Sequence, residues 1–156
     1  MTTVTVLSDT HGNRRAIDKI GNILEESDII IHLGDTSSDG SYISKQYGKK
    51  TVLINGNCDP LKLGENEVVK EIEGVKIFAT HGHLYSAKST LLKLAQRAKE
   101  LGCGIVLYGH THTASEDEID GVTLINPGNM TRYSQNGYCY LAIHEWKAVN
   151  KIVHIY

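Results

Sequence analysis

The sequence predicts an α/β fold of two sheets packed face to face, with helices outside them. Three observations carry that expectation. Apolar, β-rich runs alternate with helical-period segments in the first third of the chain. Beyond Tyr108 the pattern is β only. The run Ile29-Ile30-Ile31-His32-Leu33 is apolar almost throughout, which suits a strand buried on both faces, as in a parallel sheet.

Taken in order, residues 4–7 form a short strand that ends at Ser8-Asp9. Asn13 is placed to cap a helix whose Ile17, Ile20, Ile23 and Leu24 recur at helical spacing. The strand at 29–33 ends at Gly34-Asp35. A weak helix is expected over 41–47, and the strand at 51–54 ends at Asn55-Gly56-Asn57. Residues 68–72 and 75–79 read as a hairpin around Gly74. The clearest helix spans 89–101. Leu91, Leu94, Ala95, Ala98 and Leu101 make one apolar stripe, Ser89 can cap its start and Gly102 can end it. Strands follow at 105–108, 113–119, 122–125, 138–144 and 149–155, with turns at Asp120-Gly121 and 145–148. No repeat or linker interrupts the chain, so residues 1–156 are expected to form one domain.

Composition narrows the class without naming a function. A chain of 156 residues buries roughly 68–70% of its unfolded surface without needing disulfides or a metal. With 40% hydrophobic residues, 22% charged and only 2 Pro, it is neither collagen-like nor low-complexity. Lys plus Arg is 16 and Asp plus Glu is 18, so the net charge of −2 gives no overall field for nucleic acid or an acidic membrane. Cys58, Cys103 and Cys139 are odd in number and form no CxxC pair, which favours a reducing compartment over a secreted disulfide framework. The first residues lack the basic-then-apolar layout of a signal peptide, and no apolar run approaches ~20 residues. A soluble cytoplasmic protein with no membrane partner is therefore expected. One count stands out: 8 His in a chain with 1 Phe and 1 Trp.

The polar residues at the strand ends explain part of that count. Successive strands end in Asp9-Thr10-His11, Gly34-Asp35, Gly56-Asn57, His81-Gly82-His83 and Gly109-His110-Thr111-His112. In α/β sheets ligand sites form beyond the carboxyl ends of strands, so these residues should converge on one cleft. Two carboxylates, several imidazoles and an amide oxygen suit divalent Mn, Fe, Ni, Co or Zn better than Ca. They are too many for one ion and enough for two if a carboxylate bridges. Two divalent ions against Asp9 and Asp35 leave a local surplus of positive charge, which favours an anionic substrate. A metal pair about 3.5–4 Å apart can clamp the attacking and leaving oxygens of a phosphoryl displacement. Gly12, Gly34, Gly56, Gly82 and Gly109 beside these residues permit the sharp turns required.

The set Asp9-x-His11, Gly34-Asp35, Gly56-Asn57, His81 and Gly109-His110-x-His112 resembles the signature of calcineurin-like metallophosphoesterases, in order. Gly56-Asn57-Cys58-Asp59, Thr80-His81-Gly82-His83 and Asn126-Pro127-Gly128 are similar to its small bacterial and archaeal phosphodiesterase branch. The resemblance implies a four-layer α/β/β/α sandwich of two mixed sheets. It also implies two metal ions, Mn above Ni, Fe, Co or Zn. One would take Asp9, His11, Asp35 and His112, and the other Asp35, Asn57, His81 and His110, with Asp35 bridging. A bridging hydroxide would attack the phosphorus of a small phosphate ester in line. A phosphodiester is the expected substrate and a phosphomonoester the alternative. The family often forms dimers or larger assemblies, so a homo-oligomer would be in keeping. A eukaryotic retromer subunit resembles the same branch and acts mainly through protein contacts, so a non-catalytic scaffold is the other class of function. A protein phosphatase is disfavoured, because Thr36-Ser37-Ser38-Asp39 lacks that group's Asp-Arg-Gly run.

Catalytic roles are expected for Asp35, Asn57, Cys58 and His83. Many superfamily members carry a leaving-group-protonating His directly after the Asn, where this chain has Cys58. His83 is the neighbouring candidate for phosphate contact or proton delivery. The family often has Ser at the position of Asn129 and an Arg shortly after, so Arg132 is a candidate substrate contact. The bland reading is kept for the other residues. His32 should be a satisfied buried His, His144 and His154 structural, Cys103 and Cys139 small buried hydrophobes, and Glu116-Asp117-Glu118 a solvated turn. A thiol near its ordinary pKa of about 8.5 is a weaker acid than an imidazolium. Hydrolysis should therefore favour good leaving groups such as aryl oxides. Cys58→His should flatten the dependence of kcat/KM on leaving-group pKa, and an unchanged dependence would count against this role.

Overall fold

The structure, a computed structural model, describes residues 1–131 and 136–155. Its strands are β1 (Thr2–Leu7), β2 (Ile29–His32), β3 (Thr51–Leu53), β4 (Glu67–Ile72), β5 (Val75–Thr80), β6 (Ile105–Leu107), β7 (Ser115–Ile119), β8 (Val122–Asn126), β9 (Asn136–His144) and β10 (Lys147–Ile155). Its α-helices are α1 (Arg14–Lys19), α2 (Gly21–Glu26), α3 (Ser37–Tyr47) and α4 (Leu92–Glu100), and His83–Tyr85 form a 3-10 turn. The strands make two mixed sheets of five, ordered β10-β9-β1-β2-β3 and β4-β5-β6-β8-β7. In the first, β1, β2 and β3 are parallel and the β9-β10 hairpin is antiparallel. In the second, β5, β6 and β8 are parallel, flanked by antiparallel β4 and β7.

Three apolar clusters separate four layers. The middle one joins the two sheets through Val4, Val6, Ile31, Leu33, Leu107, Ile125 and Leu141, all fully buried. Behind the first sheet, Leu7, Ile30 and Tyr138 pack on Ile17, Leu24 and Ile43 of α1 to α3. Behind the second, Phe78, Val106 and Leu124 pack on Leu94, Ala95 and Ala98 of α4. Successive residues of a strand face opposite sides. Ile30 and Ile31 thus serve different clusters, which is why β2 needs an unbroken apolar run. Cys103 and Cys139 lie in these clusters, as their reading as small hydrophobes expects.

Several boundaries differ from the sequence reading. The helix after Asn13 divides at Ile20, although Asn13 Oδ1 caps it by accepting from the Ala16 N–H at 3.3 Å. The helix expected at 41–47 begins at Ser37, because Asp59 Oδ1 accepts the Ser37 N–H at 2.7 Å and anchors its first turn from another strand end. Ser89 does not cap α4; Thr90 Oγ1 accepts from the Leu92 N–H instead, at 3.1 Å. Glu116, Asp117 and Glu118 are exposed, but on edge strand β7 rather than in a turn. Glu145 and Trp146 both take positive φ (43° and 71°), so the β9-β10 hairpin turns on two residues without glycine.

Candidate metal centre

The carboxyl ends of β1, β2, β5 and β6 meet in one crevice. The Asp9 N–H donates to the Gly34 carbonyl and the Gly109 N–H to the His81 carbonyl, each at 2.9 Å, which fixes the strand ends within each sheet. Between the sheets, Asp9 Oδ2 accepts the His110 N–H at 3.0 Å, and it also accepts the hydroxyl of its own neighbour Ser8 at 2.5 Å.

Asp9, His11, Asp35 and His112 each bring one ligand-type atom into a group spanning no more than 4.8 Å, which could hold a metal ion. The other Asp9 oxygen, Oδ1, is buried and accepts no hydrogen bond among the described residues. It faces His112 Nε2 at 3.1 Å, His81 Nε2 at 3.9 Å and His11 Nε2 at 4.0 Å. A buried carboxylate oxygen without a donor is costly. A cation among these imidazoles removes that cost, so the donor set fits a divalent ion.

The other expected ligands gather beside this group. His81 Nδ1–H donates to the Leu33 carbonyl at 2.8 Å, which orients the ring and turns Nε2 inward. His81 Nε2 lies 3.0 Å from Asn57 Oδ1 and 3.4 Å from Asp35 Oδ2. The His110 ring centroid is 5.1 Å from that of His81. Asp35 Oδ2 is also 3.7 Å from His11 Nε2, so one oxygen faces both groups of candidate ligands.

Electrostatics follow from this crowding. Burial alone would push the Asp35 carboxyl up, but the bond and charge of His81 and the Cys58 N–H (2.9 Å to Oδ1) hold it well below the usual carboxylate range. Burial pulls His81 down, but Asp35 and Asp9 outweigh it and raise the imidazole. His83 and His110 are lowered, by burial first and then by His81. Burial, then Asp35, raises the Cys58 thiol. Cys58 and Asn57 are exposed at the rim, whereas His83 is half-buried and its Nδ1 has no hydrogen-bond partner among the described residues. Arg132 lies outside the described residues.

The backbone of these loops is unusual. Asp9, His11, Asp35, His110 and His112 all have positive φ, from 45° to 69°. Non-glycine residues rarely do, and such strain concentrates at functional sites where surrounding structure enforces it. Gly34 shows how tight the enforcement is, because at φ 104° a Cβ would lie 2.6 Å from the Gly56 nitrogen.

The enforcing groups are residues that sequence reasoning left without a role. Asp39, fully buried on α3, accepts the Thr10 hydroxyl at 2.7 Å and the Gly12 N–H at 2.8 Å. Asp59 Oδ2 accepts the Asp35 N–H at 2.9 Å and the Gly56 N–H at 2.7 Å. Asn126 donates to the Gly109 carbonyl at 3.1 Å and to Thr111 Oγ1 at 2.8 Å, and Asn129 donates to the His112 carbonyl at 2.7 Å. Asp59 and Asn126 sat inside the motifs already quoted, whereas nothing local marked Asp39.

His32 is buried and satisfied, as expected. Its tautomer is fixed by its neighbours. The Thr10 hydroxyl is committed to Asp39, so His32 Nε2–H must donate to Thr10 Oγ1 (2.9 Å), and Nδ1 accepts the Gly34 N–H (3.2 Å). Burial pushes this imidazole down to about 4. His144 and His154, by contrast, are exposed, His144 lying 3.5 Å from Glu73.

Comparison with known proteins identifies the family. Residues 2–148 match the calcineurin-like phosphoesterase superfamily domain, and the chain belongs to that superfamily. It is 34% identical to a probable metallophosphoesterase of Bacillus subtilis over 81% of this chain and 74% of the relative. It is 28% identical to a phosphodiesterase of Methanocaldococcus jannaschii over 83% of this chain and 85% of that protein. The crystal structure of Vps29 from Entamoeba histolytica complexed with zinc has the same fold. Its TM-score is 0.78 at 18% identity, over 98% of this chain and 99% of that one. Among the described residues no helix is long and apolar enough to cross a membrane.

Two outcomes test the loop supports. In Asp59→Asn an amide donor faces backbone N–H groups, so Zn or Mn affinity should fall roughly 10–100-fold by titration calorimetry with the fold retained. His32 is neutral in the native state, whereas the unfolded state protonates below its ordinary 6.5. Its contribution to stability is therefore complete above pH 6.5 and is lost as pH falls toward 4, by roughly 3 kcal/mol. Urea midpoints of metal-free protein should drop over this window, and His32→Gln, which keeps the donor to Thr10, should flatten the drop.

Proposed function

We propose that this chain is a metal-dependent phosphodiesterase holding two divalent ions, one at Asp9, His11, Asp35 and His112 and one at Asp35, Asn57, His81 and His110. The observation that carries this reading is the position of Asp35 Oδ2, 3.7 Å from His11 Nε2 and 3.4 Å from His81 Nε2. An oxygen shared between the two proposed ligand groups is what a bridging carboxylate requires. The orphaned Asp9 Oδ1 supports a resident cation independently. Bound there, the ions would supply Lewis acidity toward the phosphoryl oxygens and a water nucleophile usable near neutral pH.

The residues divide the remaining work. The Leu33 carbonyl and the Cys58 N–H hold His81 and Asp35 in register, so the ligand atoms are set before substrate arrives. Cys58, at the rim, and the half-buried His83 are the proposed sources of the proton that the leaving oxygen takes up. His83, whose Nδ1 has no hydrogen-bond partner among the described residues, can also contact a phosphoryl oxygen. Water adds to phosphorus and releases one proton to solvent, the ester P–O bond breaks, the alcohol departs with the proton from the side chain, and solvent returns a proton to that side chain. Manganese is the proposed metal. The three free cysteines support a reducing compartment, with the cytoplasm as the proposed location.

The likeness in fold to Vps29 favours one further reading, a metal-binding scaffold without turnover. The intact donor set supports the enzyme over it. Metal per chain, and hydrolysis of bis(4-nitrophenyl) phosphate and 4-nitrophenyl phosphate with Mn, Ni, Zn and Mg, separate the two. The phosphodiesterase should bind two ions and turn over the diester, and Asp35→Asn should lower kcat/KM at least about 100-fold. Two bound ions with neither ester hydrolysed would favour the scaffold.

A further inference from the structure

We infer that the cavity beside His112 receives an organic group of the phosphate ester, and that His154 decides which groups fit. This rests on the phosphodiesterase reading above. The cavity, about 440 Å³, is lined by His112, Thr113, Ala114, Pro127, Asn129 and His154. That is within the size range of small-molecule sites, roughly 300–1,000 Å³, and more than a bare phosphate needs.

His112 belongs to both places. Its Nε2 is 3.1 Å from Asp9 Oδ1 in the candidate metal centre, and the residue also lines the cavity. An ester whose phosphorus sits at the metal centre on the His112 side therefore has an attached group within reach of the cavity. The walls come from both sheets. Pro127 follows β8 of the second sheet, and His154 belongs to β10 at the edge of the first.

The lining specifies the chemistry. Among the described residues no carboxylate, lysine or arginine lines the cavity, so none of them matches a second phosphate. Ala114 and Pro127 are apolar, Thr113 brings a hydroxyl, and His154 offers a planar ring. That mixture suits an uncharged aryl or heterocyclic group that stacks on the imidazole. Space is preserved on two sides. A side chain at 128 would press on the Ala114 Cβ at 3.2 Å from a backbone already at φ 85°, so the floor stays low. The cross-strand neighbour of His154 is Gly137, which places no side chain beside the imidazole. His154 itself is exposed, so a bound group can cover it.

Zinc-loaded protein with His154→Ala, and separately with Ala114→Leu to fill the cavity, provides the test. KM for bis(4-nitrophenyl) phosphate should rise about 10-fold in each variant, while metal content and inhibition by inorganic phosphate stay within about twofold. In wild-type protein the His154 ring signals in 1H–15N spectra should move on adding phenylphosphonate and stay still on adding inorganic phosphate. Unchanged KM in both variants would overturn the subsite. So would phosphate inhibition weakening in step with KM, or His154 signals that answer both anions alike. If wild-type protein binds metal and hydrolyses no ester, the enzyme reading fails by itself. The phenylphosphonate titration then judges the cavity alone: selective movement of the His154 signals supports it, and no movement overturns it.

Discussion

The Asp9 carboxylate sits on the seam between the two sheets, and the rest of the site depends on how it is held. One oxygen is saturated by the Ser8 hydroxyl and the His110 N–H, the latter reaching across from the other sheet. The other oxygen is buried, has no donor among the described residues and faces imidazoles. The first interaction sets the distance between the sheets where their strands end. The second leaves a concentrated negative charge that a cation can neutralise. A site assembled from two sheets needs such a cross-tie, because the apolar contacts between the sheets are non-directional and cannot fix positions at the scale ligation requires.

The loops carrying the candidate ligands are held in backbone conformations they would not adopt alone. The positive φ of Asp9, His11, Asp35, His110 and His112 is opposed by a few buried hydrogen-bonding side chains on other elements. Asp39 holds the first loop from α3, Asp59 joins the ends of β2 and β3, and Asn126 and Asn129 hold the loop of His110 and His112. Each bonds to backbone groups or to a threonine hydroxyl, so the ligand side chains keep their inward atoms for other partners. His32 joins two of these systems, linking Thr10 to the Gly34 N–H. The strain is thus local, and the groups that balance it are distant in sequence.

Charge explains how a mildly acidic chain suits an anionic ester. The net charge of −2 is an average over the whole surface, whereas phosphate would meet only the crevice. There two carboxylates face His11, His81, His110 and His112, and divalent ions would tip the local balance positive. The adjoining cavity carries no formal charge of its own among the described residues unless a histidine is protonated. On the proposed reading, that asymmetry would separate the place for phosphate from the place for its organic group.

The sequence alone determined which residues end the strands and that they are of the types suited to metal ligation. Apolar runs and turn residues are local, and ligand types are visible as letters, so β1, β2, the β4-β5 hairpin, α4 and all seven candidate ligands were legible. What it could not determine is which residues hold those ligands in place. Asp39, Asp59 and Asn126 act through hydrogen bonds to backbone groups 17 to 27 residues away, and no local pattern records such a contact. The start of α3 at Ser37 escaped for the same reason, since its anchor, Asp59, comes from another strand end. His154 read as an ordinary β-strand histidine until the β9-β10 hairpin brought it beside the loops after β6 and β8. Composition and periodicity decide what each segment is; only the packing of two sheets decides what meets at their common edge.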